Sequence, residues 1–355
     1  MPRGRNSRRD GDIVENAQGE RMKAFAAAVS CMLALAAGRA VAAAPERPNV
    51  VIAVGGKASL YYLPLTLAER LGHFKAEGLQ PEIVDFAGGA KSLQAMMGGS
   101  ADVVCGGFDH VVLMAAKGQK LKAFTLMVAT PALSLGIATR LADRYRSPKD
   151  LKGMKVGVSA PGSSTHIFVN HLLASAGLGP DDVSIIGVGT GPGAVAAMRA
   201  GQLDAISNIE PTMTLLQDSG AVKVVVETVS PKGAAAVFGT PLPAGSLYTR
   251  EEFLRSNPGT AQALANAMVR TLKWLQKASD DEVAAAVPPE YLAGDRKLWL
   301  AGLRKMRESY SKDGLYAPGA VAAQVRVLAA FEPSVREKDL EQPALYTNEF
   351  AKRAP

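Results

Sequence analysis

The chain has 355 residues, of which 48% are hydrophobic and 21% are charged, and its formal net charge is +7. This composition is that of a globular protein and excludes an intrinsically disordered chain. Residues 1–42 hold seven basic and four acidic residues, which leaves 33 basic and 29 acidic residues in the remainder. We expect no nucleic-acid partner, because such a partner requires a concentrated basic face.

The N-terminal segment has the pattern of a secretory signal peptide. In residues 22–44, MKAFAAAVSCMLALAAGRAVAAA, a lysine at position 23 is followed by an apolar run and then by small residues. The run is too short for a transmembrane helix. We therefore expect an upstream extension at residues 1–21, cleavage after Ala42, and a periplasmic mature protein.

The two cysteines are Cys31, inside the predicted signal peptide, and Cys105. Cys31 lies too early in the apolar run to favour a lipidation site. A single cysteine in the mature chain cannot form an internal disulfide, so the core alone must stabilise the exported protein. We expect Cys105 to be a small buried residue of a strand.

The first part of the mature chain alternates between strand and helix patterns. Short apolar runs bounded by glycines predict buried strands, and apolar residues at helical spacing predict helices. This alternation is typical of a parallel sheet with helices on its faces. The predicted strands lie at 49–56, 81–89 and 101–107, and the predicted helices at 60–78 and 90–100.

Two distant segments, residues 78–104 and 177–206, follow the same order of elements. Each begins with Gly-Leu-x-Pro and continues with a strand pattern, a glycine-rich turn, a short helix rich in Ala and Met, and a strand that contains Asp. Residues 151–166 likewise match residues 49–62. Two copies are too few for a solenoid, so the repetition predicts two α/β lobes built on one plan.

The remainder of the chain predicts two crossings between these lobes and a helical C-terminal region. The crossings at 128–140 and 238–250 predict a hinge, with a cleft at the carboxyl ends of the strands, where open α/β sheets bind ligands. The predicted helices are at 250–278, with Pro258 near a helix start, at 295–311 and at 317–331. The predicted parts are a signal segment at 1–42, the first part of lobe 1 at 43–134, lobe 2 at 135–245, and a return to lobe 1 with C-terminal helices at 246–355.

Four segments carry a resemblance to a known family: YYLPLTLAERLGHFKAEGL, FAGGAKSLQAMMGGSADVV, DLKGMKVGVSAPGSSTH and AMRAGQLDAISNIEP. Together they resemble the periplasmic solute-binding proteins of ABC importers, in the nitrate, sulfonate and taurine branch related to the fungal thiamine-pyrimidine synthases. The resemblance implies a two-lobed type II periplasmic binding protein fold. Each lobe would be a mostly parallel sheet flanked by helices, with a hinge between the lobes.

The same resemblance implies a binding protein rather than an enzyme. It would capture a small anionic or zwitterionic organic solute, such as a sulfonate, taurine or nitrate, and deliver it to an ABC permease with its ATPase in the inner membrane. We expect a monomer with no cofactor. The alternatives are a synthase-like enzyme or a binder of a pyrimidine precursor, and a periplasmic solute sensor. The synthases use histidines and a cysteine-rich segment, which one mature cysteine does not supply.

The resemblance also places binding loops after the strands. In this sequence they fall at Gly55–Tyr62, Ala87–Lys91, Gly107–His110, Ser159–Thr165, Gly189–Gly193 and Asn208–Glu210.

The loop VSAPGSSTH, residues 158–166, is the strongest candidate for ligand contact. Gly162 permits a tight turn before a helix, and Ser163, Ser164 and Thr165 add hydroxyls to a helix N-terminus, which favours an anion. Plain N-capping is the alternative for these hydroxyls. The frame does not match the nucleophile elbow G-x-S-x-G, and no acidic residue beside His166 would orient it. We therefore expect no catalytic residue.

Lobe 1 offers a second group of candidate contacts. Lys57 would pair with an anionic group, and Ser59 and Tyr61 would contact the ligand. Gly88 and Gly89 permit close approach of the backbone. The alternatives are a surface lysine, tyrosines packed between helix and sheet, and a tight turn with no ligand.

Three further residues complete the candidate set. Phe108 would form a wall and His110 a polar contact, although a lone histidine is more often structural. Glu210 would suit an amine, as in a zwitterion, or would cap the helix that follows Pro211. We expect no metal site, because the four histidines show no ligand spacing and Cys105 has no partner.

Overall fold

A computed structural model describes residues 44–292 and 294–355 of the chain. The predicted signal peptide, its cleavage site and Cys31 lie outside the described residues. None of the helices in the described ranges is both long and apolar enough to cross a membrane.

Ten strands in the described residues form two sheets of five strands each. They are β1 (Val51–Val54), β2 (Glu82–Asp85), β3 (Val103–Gly107), β4 (Leu121–Leu126), β5 (Ser134–Ala138), β6 (Lys155–Val158), β7 (Ser184–Gly187), β8 (Ala205–Asn208), β9 (Val222–Glu227) and β10 (Gly245–Arg250). The strand order is β2-β1-β3-β10-β4 in the first sheet and β7-β6-β8-β5-β9 in the second. Both sheets have the same arrangement: three parallel strands, then a reversed strand, then a fifth strand at the edge. The internal repeat predicts this similarity.

Helices connect and cover these strands. Those of the two sheet regions are α1 (Leu63–Arg70), α2 (His73–Ala76), α3 (Gly89–Met97), α4 (Asp109–Ala116), α5 (Ser164–Ser175), α6 (Pro192–Arg199), α7 (Thr212–Asp218) and α8 (Pro231–Phe238). Those of the C-terminal region are α9 (Glu251–Ser256), α10 (Pro258–Leu275), α11 (Asp280–Ala286), α12 (Arg296–Met306), α13 (Ala320–Ala329), α14 (Pro333–Arg336), α15 (Gln342–Leu345) and α16 (Glu349–Arg353). Short 3-10 turns lie at Leu60–Tyr62, Thr139–Arg144, Pro148–Leu151, Pro180–Asp182, Pro289–Leu292 and Arg307–Ser309.

Each sheet is mostly parallel with one strand reversed. Strand β1 pairs in parallel with β2 and β3, and β6 with β7 and β8. The reversed strands are β10, between β3 and β4, and β5, between β8 and β9. Strand β5 lies next after β4 in the chain but belongs to the second sheet, and β10 returns to the first. Two α/β lobes with a mostly parallel sheet in each are thus confirmed.

The repeated Asp of the two lobes has the same structural task in both. The carboxylate of Asp102 accepts from the N–H of Val51 at 2.9 Å and pairs with Arg47. The carboxylate of Asp204 accepts from the N–H of Lys155 at 2.9 Å and pairs with Arg140. Val51 and Lys155 are the first residues of β1 and β6, so each Asp satisfies the N–H at the start of the neighbouring parallel strand.

Two helix predictions are corrected in detail. The helix predicted at 60–78 is a 3-10 turn followed by α1 and α2, and Gly72, at φ +73°, separates these two helices. The helix predicted at 250–278 divides into α9 and α10 at Asn257. Pro258 begins α10 because proline has no N–H to continue the preceding helix, but it suits the first helical position.

Cys105 lies in the middle of β3 and is fully buried, as predicted. Burial raises the pKa of its thiol well above the usual range, so the side chain stays uncharged. Its Sγ lies 3.7 Å from the Sδ of Met127.

Candidate ligand-binding site

A small cavity of about 20 Å³ lies where the two lobes meet. Four of its lining residues follow the carboxyl ends of strands: Gly55 after β1, Ser159 after β6, Thr190 after β7 and Ile209 after β8. This is the position at which open α/β sheets place their ligands. The remaining lining residues are Tyr61, Tyr62, Gly89, Leu133, Ser163, Ser164 and Thr165. We call this space the central cavity.

The N-terminus of α5 opens into the central cavity. Gly162 has φ +84°, which favours glycine, and the N–H of this residue donates to Nδ1 of His166 at 2.9 Å. Ser163 is then the N-cap in an extended conformation. Among the described residues, the N–H groups of Ser164 and Thr165 have no acceptor. Free N–H groups at a helix N-terminus, together with the helix dipole, favour a negative charge at this end of the cavity.

The hydroxyls of this loop already have protein partners. The hydroxyl of Thr165 accepts from the N–H of Ser159 at 3.0 Å and lies 2.8 Å from the Ser159 hydroxyl. The hydroxyl of Ser163 accepts from the N–H of Ala90 at 3.0 Å, and that of Ser164 donates to Asp109 Oδ1 at 2.9 Å. The last two bonds join the two lobes. The backbone N–H groups of Ser164 and Thr165 have no protein acceptor and remain available to a ligand.

Lobe 1 contributes two tyrosines and a glycine-rich loop. The rings of Tyr61 and Tyr62 are nearly perpendicular, with centroids 5.0 Å apart, and both side chains are buried. Burial raises the pKa of both phenols well above the usual range, so both stay neutral. Gly89 begins α3, and its N–H has no acceptor among the described residues. This side of the cavity is uncharged and offers one further backbone donor.

Close backbone packing explains the glycines of this loop. A Cβ on Gly55 would lie 2.3 Å from the nitrogen of Gly89, so only glycine lets the two loops of lobe 1 meet. A Cβ on Gly88 would lie 3.0 Å from the Cβ of Ala160 and 3.1 Å from the Ser163 hydroxyl, both in the other lobe. Gly88 therefore sets how near the lobes can approach.

Several predicted contacts lie away from the central cavity. The Lys57 ammonium pairs with Glu69 at 2.8 Å, on helix α1. Ser59 lines a wider groove between the loops of the two lobes, and this groove shares Thr190 with the central cavity. Phe108 is fully buried against Tyr316, with ring centroids 5.3 Å apart.

His110 is buried beneath the glycine-rich loop. Its Cε1 would lie 3.0 Å from a Cβ on Gly89, and its Nδ1 lies 3.1 Å from the Tyr248 hydroxyl. Its Nε2 has no partner among the described residues. His110 therefore supports the loop from below.

The Glu210 carboxylate is fully buried and already has partners. Its Oε2 accepts from the N–H of Thr214 at 3.0 Å, in the first turn of α7. Its Oε1 lies 3.4 Å from the ammonium of Lys305 on α12. In the structure the Glu210 side chain therefore caps the helix that follows Pro211, which is the second of its two predicted roles.

A family profile described as NMT1/THI5 like matches residues 59–281. The chain belongs to the NMT1/THI5-like family. Its solved relatives include a protein from Bordetella bronchiseptica RB50, which is 49% identical and has a TM-score of 0.84, with 87% of this chain and 97% of that chain covered.

Two more distant structures share the fold of this NMT1/THI5-like chain. One is the alkanesulfonate-binding protein SsuA of Xanthomonas axonopodis pv. citri bound to MOPS, at 20% identity and TM-score 0.64, covering 84% of this chain and 98% of that chain. The other is the periplasmic nitrate-binding protein NrtA of Synechocystis PCC 6803, at 14% identity and TM-score 0.64, covering 87% and 88%. The predicted two-lobed periplasmic binding protein fold is confirmed.

The cavity-lining residues Gly55, Tyr62, Ser159, Thr190 and Ile209 all lie within the predicted binding loops, although they are not among the predicted ligand contacts. That these loops bind a ligand stays a prediction. Leu133 lies on the crossing between the lobes, where no local pattern marks it. In the described residues no group of three or more His, Cys, Asp or Glu side chains is placed to hold a metal ion.

Proposed function

We propose that this chain is the solute-binding component of an ABC importer. It binds a small organic anion or zwitterion in the central cavity, and closure of the lobes about the hinge presents the occupied form to a membrane permease and its ATPase. The alkanesulfonate-binding and nitrate-binding proteins that share its fold support this role. The predicted signal peptide, which would place the chain in the periplasm, fits it as well.

One observation carries the proposal. Free backbone N–H groups from both lobes, those of Gly89, Ser164 and Thr165, belong to residues that line the same cavity. An anion placed there would be held by donors from both lobes, so that binding and closure favour one another.

We also propose that the chain is not an enzyme. The hydroxyls of Ser163, Ser164 and Thr165 are each engaged in hydrogen bonds that hold loops together. His166 uses Nδ1 to accept from the backbone of Gly162, so it serves the turn rather than a nucleophile. A bound compound should be recovered chemically unchanged after prolonged incubation with the protein.

Thermal-shift measurements with sulfonates, carboxylates, taurine, nitrate and pyrimidines would identify ligands, since a ligand at about a hundred times its Kd adds roughly 2.7 kcal/mol. Ser164→Pro then tests the site. Proline suits the first helical position, and the extended Ser163 suits the residue before a proline, so the helix is retained while one free N–H is removed. Ser164→Ala is the matched control, because it removes only the hydroxyl.

We expect Ser164→Pro to weaken binding by roughly 10- to 150-fold relative to Ser164→Ala, the range for one hydrogen bond to a charged group. Calorimetry on both variants measures the difference. Equal affinities of the two variants would show that the N-terminus of α5 does not bind the anion. Uptake of the labelled ligand in cells that express each variant would test delivery to the permease.

A further inference from the structure

The wide groove that Ser59 lines, which we call the outer groove, lies between residues 85–87 of lobe 1, helices α6 and α7 of lobe 2, and the 3-10 turn at Pro289–Leu292. Its volume is about 1050 Å³, at the upper end of the range for small-molecule sites. The central cavity, with about 20 Å³, has room for little more than one water molecule in this arrangement of the lobes. The body of an organic solute therefore fits in the outer groove.

The two lobes face each other closely along this groove. A Cβ on Gly56 of lobe 1 would lie 2.1 Å from the hydroxyl oxygen of Thr190 in lobe 2, and a Cβ on Gly189 would lie 3.9 Å from the carbonyl oxygen of Ala87. A solute in the groove would thus contact both lobes, as a ligand that favours closure must.

The Asp85 carboxylate is held in place at the lobe 1 wall of the groove. Its Oδ1 accepts from the N–H groups of Gly56 and Lys57, both at 2.8 Å. The neighbouring cation does not neutralise it, because the Lys57 ammonium pairs with Glu69. The side chain of Asp85 is exposed, and its Oδ2 has no partner among the described residues. Oδ2 is therefore a positioned acceptor that is open to a ligand.

The charges of the groove lining favour a cationic group on this wall. Glu290 is the second carboxylate of the lining, and Arg199, about 10 Å along α6 from its first residue, is the basic side chain among the described lining residues. Within the described residues, none of these three charged groups has an ion-pair partner. Burial raises the pKa of Tyr291, and the charges of Asp85, Glu69 and Glu290 raise it further, so this phenol lies near both carboxylates of the groove.

Ser59 adds a buried polar atom that lacks a partner. The residue is 4% exposed and lines the groove. Its hydroxyl does not cap the 3-10 turn that follows it, and it has no hydrogen-bond partner among the described residues. A buried hydroxyl without a partner costs free energy, which a hydrogen bond from a solute in the groove would recover.

The rest of the groove offers apolar surface beside these acceptors. Phe86, Val195, Leu215 and Tyr291 line it and are only half-buried. Aromatic rings near a carboxylate suit a cation with a hydrocarbon body, because the ring faces also attract positive charge.

We propose that the outer groove binds the ammonium group of a zwitterionic solute, with Asp85 and Glu290 as its charged acceptors. An ammonium has three N–H donors, and the groove offers Asp85 Oδ2, the Glu290 carboxylate and the Ser59 hydroxyl oxygen as free acceptors. The carbon chain of the solute lies against Phe86 and Tyr291. This rests on the proposed function and narrows its solute class from anions in general to amino acids with a carbon chain.

Matched pairs of carboxylates test the proposal in calorimetric titrations of the protein. 4-Aminobutyrate should bind at least about threefold tighter than butyrate, and 5-aminovalerate at least about threefold tighter than valerate, since the exposed Asp85 gives a gain between those of surface and buried ion pairs. Asp85→Asn should remove most of this preference, because the amide keeps an acceptor for the same two N–H groups but loses the charge. Asp150→Asn is the matched control: Asp150 also accepts from two backbone N–H groups, lies outside the groove and should leave the preference unchanged.

Two further variants keep the test independent of the Asp85 loop. Glu290→Gln, at an exposed position, should lower the same preference by a smaller factor. Ala196→Trp fills the groove from an exposed position of α6 and should weaken binding of both amino acids, whereas Ala200→Trp, exposed at the end of α6 and outside the groove lining, should not.

The outcomes separate this proposal from the proposed function. Equal binding of the two members of each pair, or a preference unchanged in both Asp85→Asn and Glu290→Gln, would overturn the ammonium site and leave the solute-binding role intact. Failure of the proposed function differs, because then neither member of any pair would bind.

Discussion

The two lobes are built on the same plan but supply different chemistry to the central cavity. In lobe 2, the loop after β6 leads directly into α5, and the free N–H groups of Ser164 and Thr165 open into the cavity. In lobe 1, the loop after β1 passes through a 3-10 turn that brings Tyr61 inward, while Lys57 pairs with Glu69. The shared sheet order is the scaffold. The turn after β6 supplies two free N–H groups in lobe 2, whereas the turn after β1 supplies aromatic rings in lobe 1.

The carboxylates that follow β3 in lobe 1 and β8 in lobe 2 show a second difference between the lobes. Asp109 stands two residues after β3 and Glu210 two residues after β8, so the carboxylates occupy equivalent places. Asp109 accepts from Ser164 in the other lobe, whereas Glu210 pairs with Lys305 of α12. Helix α12 also contacts the 3-10 turn of lobe 1. Each carboxylate thus links its own lobe to another part of the molecule.

Among the predicted changes, we expect the largest loss of stability from substitution of Glu210, the buried carboxylate of lobe 2. Glu210→Ala removes the cap of α7 and one of the two carboxylates that pair with Lys305, the other being Glu227, and we expect the free energy of unfolding to fall by about 2 to 3 kcal/mol. Glu210→Gln keeps an acceptor for the N–H of Thr214 and should lose about half as much. Urea denaturation measures both. Equal losses would mean that the cap contributes nothing.

The next largest effect is on ligand affinity, and it should differ between two equivalent N-cap glycines, Gly88 of α3 and Gly191 of α6. A Cβ on Gly88 would press on Ala160 and Ser163 across the lobes, whereas a Cβ on Gly191 has no atom within 4 Å. Gly88→Ala should weaken ligand binding by about tenfold, since closure is obstructed by roughly 1.4 kcal/mol. Gly191→Ala should leave affinity unchanged. If both variants bind normally, Gly88 does not limit the approach of the lobes.

Substitution of Asp102 in lobe 1 or of Asp204 in lobe 2 should cause a smaller loss of stability, of similar size in both lobes. Asp102→Asn and Asp204→Asn each weaken the bond to the first N–H of a parallel strand, and each should cost about 1 kcal/mol in unfolding experiments. Burial acts to raise the pKa of Asp204, but the N–H of Lys155 and the nearby Arg140 outweigh it and lower the pKa. The stabilisation by Asp204 should therefore be present above its unfolded pKa of about 3.9 and lost as the pH falls through its lower folded pKa. A pH-independent cost of Asp204→Asn would contradict this.

The smallest effect concerns His166, which supports the anion-binding turn of lobe 2. Burial lowers its pKa, so the folded protein takes up this proton less readily than the unfolded chain. Its contribution to stability should be present above about pH 6.5 and lost as the pH falls through its lowered folded pKa, where Nδ1 no longer accepts from Gly162. His166→Asn should remove part of this dependence. The test compares, for the wild type and for His166→Asn, the difference between the melting temperatures at pH 7.5 and pH 5.5. The same difference in both proteins would show that His166 does not cause this pH dependence.

Local patterns predicted the scaffold better than the partners of long side chains. The strands after residues 49 and 151, the turn at Gly162 and the helix after it follow from apolar runs, glycine and hydroxyl residues close in sequence. The ammonium of Lys57 could point into the central cavity or pair with Glu69, and sequence spacing does not decide between these two positions. Glu210 finds Lys305 at a separation of 95 residues, which only the assembled fold reveals. The loops were therefore predictable and the ionic contacts were not.

The burial of Cys105 has a practical consequence for measuring lobe motion. Outside residues 1–43 it is the chain's one thiol, and a fully buried, uncharged thiol reacts slowly with maleimides. A cysteine introduced at exposed Lys91 and another at exposed Arg199 would take fluorescent dyes with little background labelling. Energy transfer between such dyes would report the distance across the cleft directly. The same pair, carried into Gly88→Ala, would separate a change in closure from a change in ligand contact.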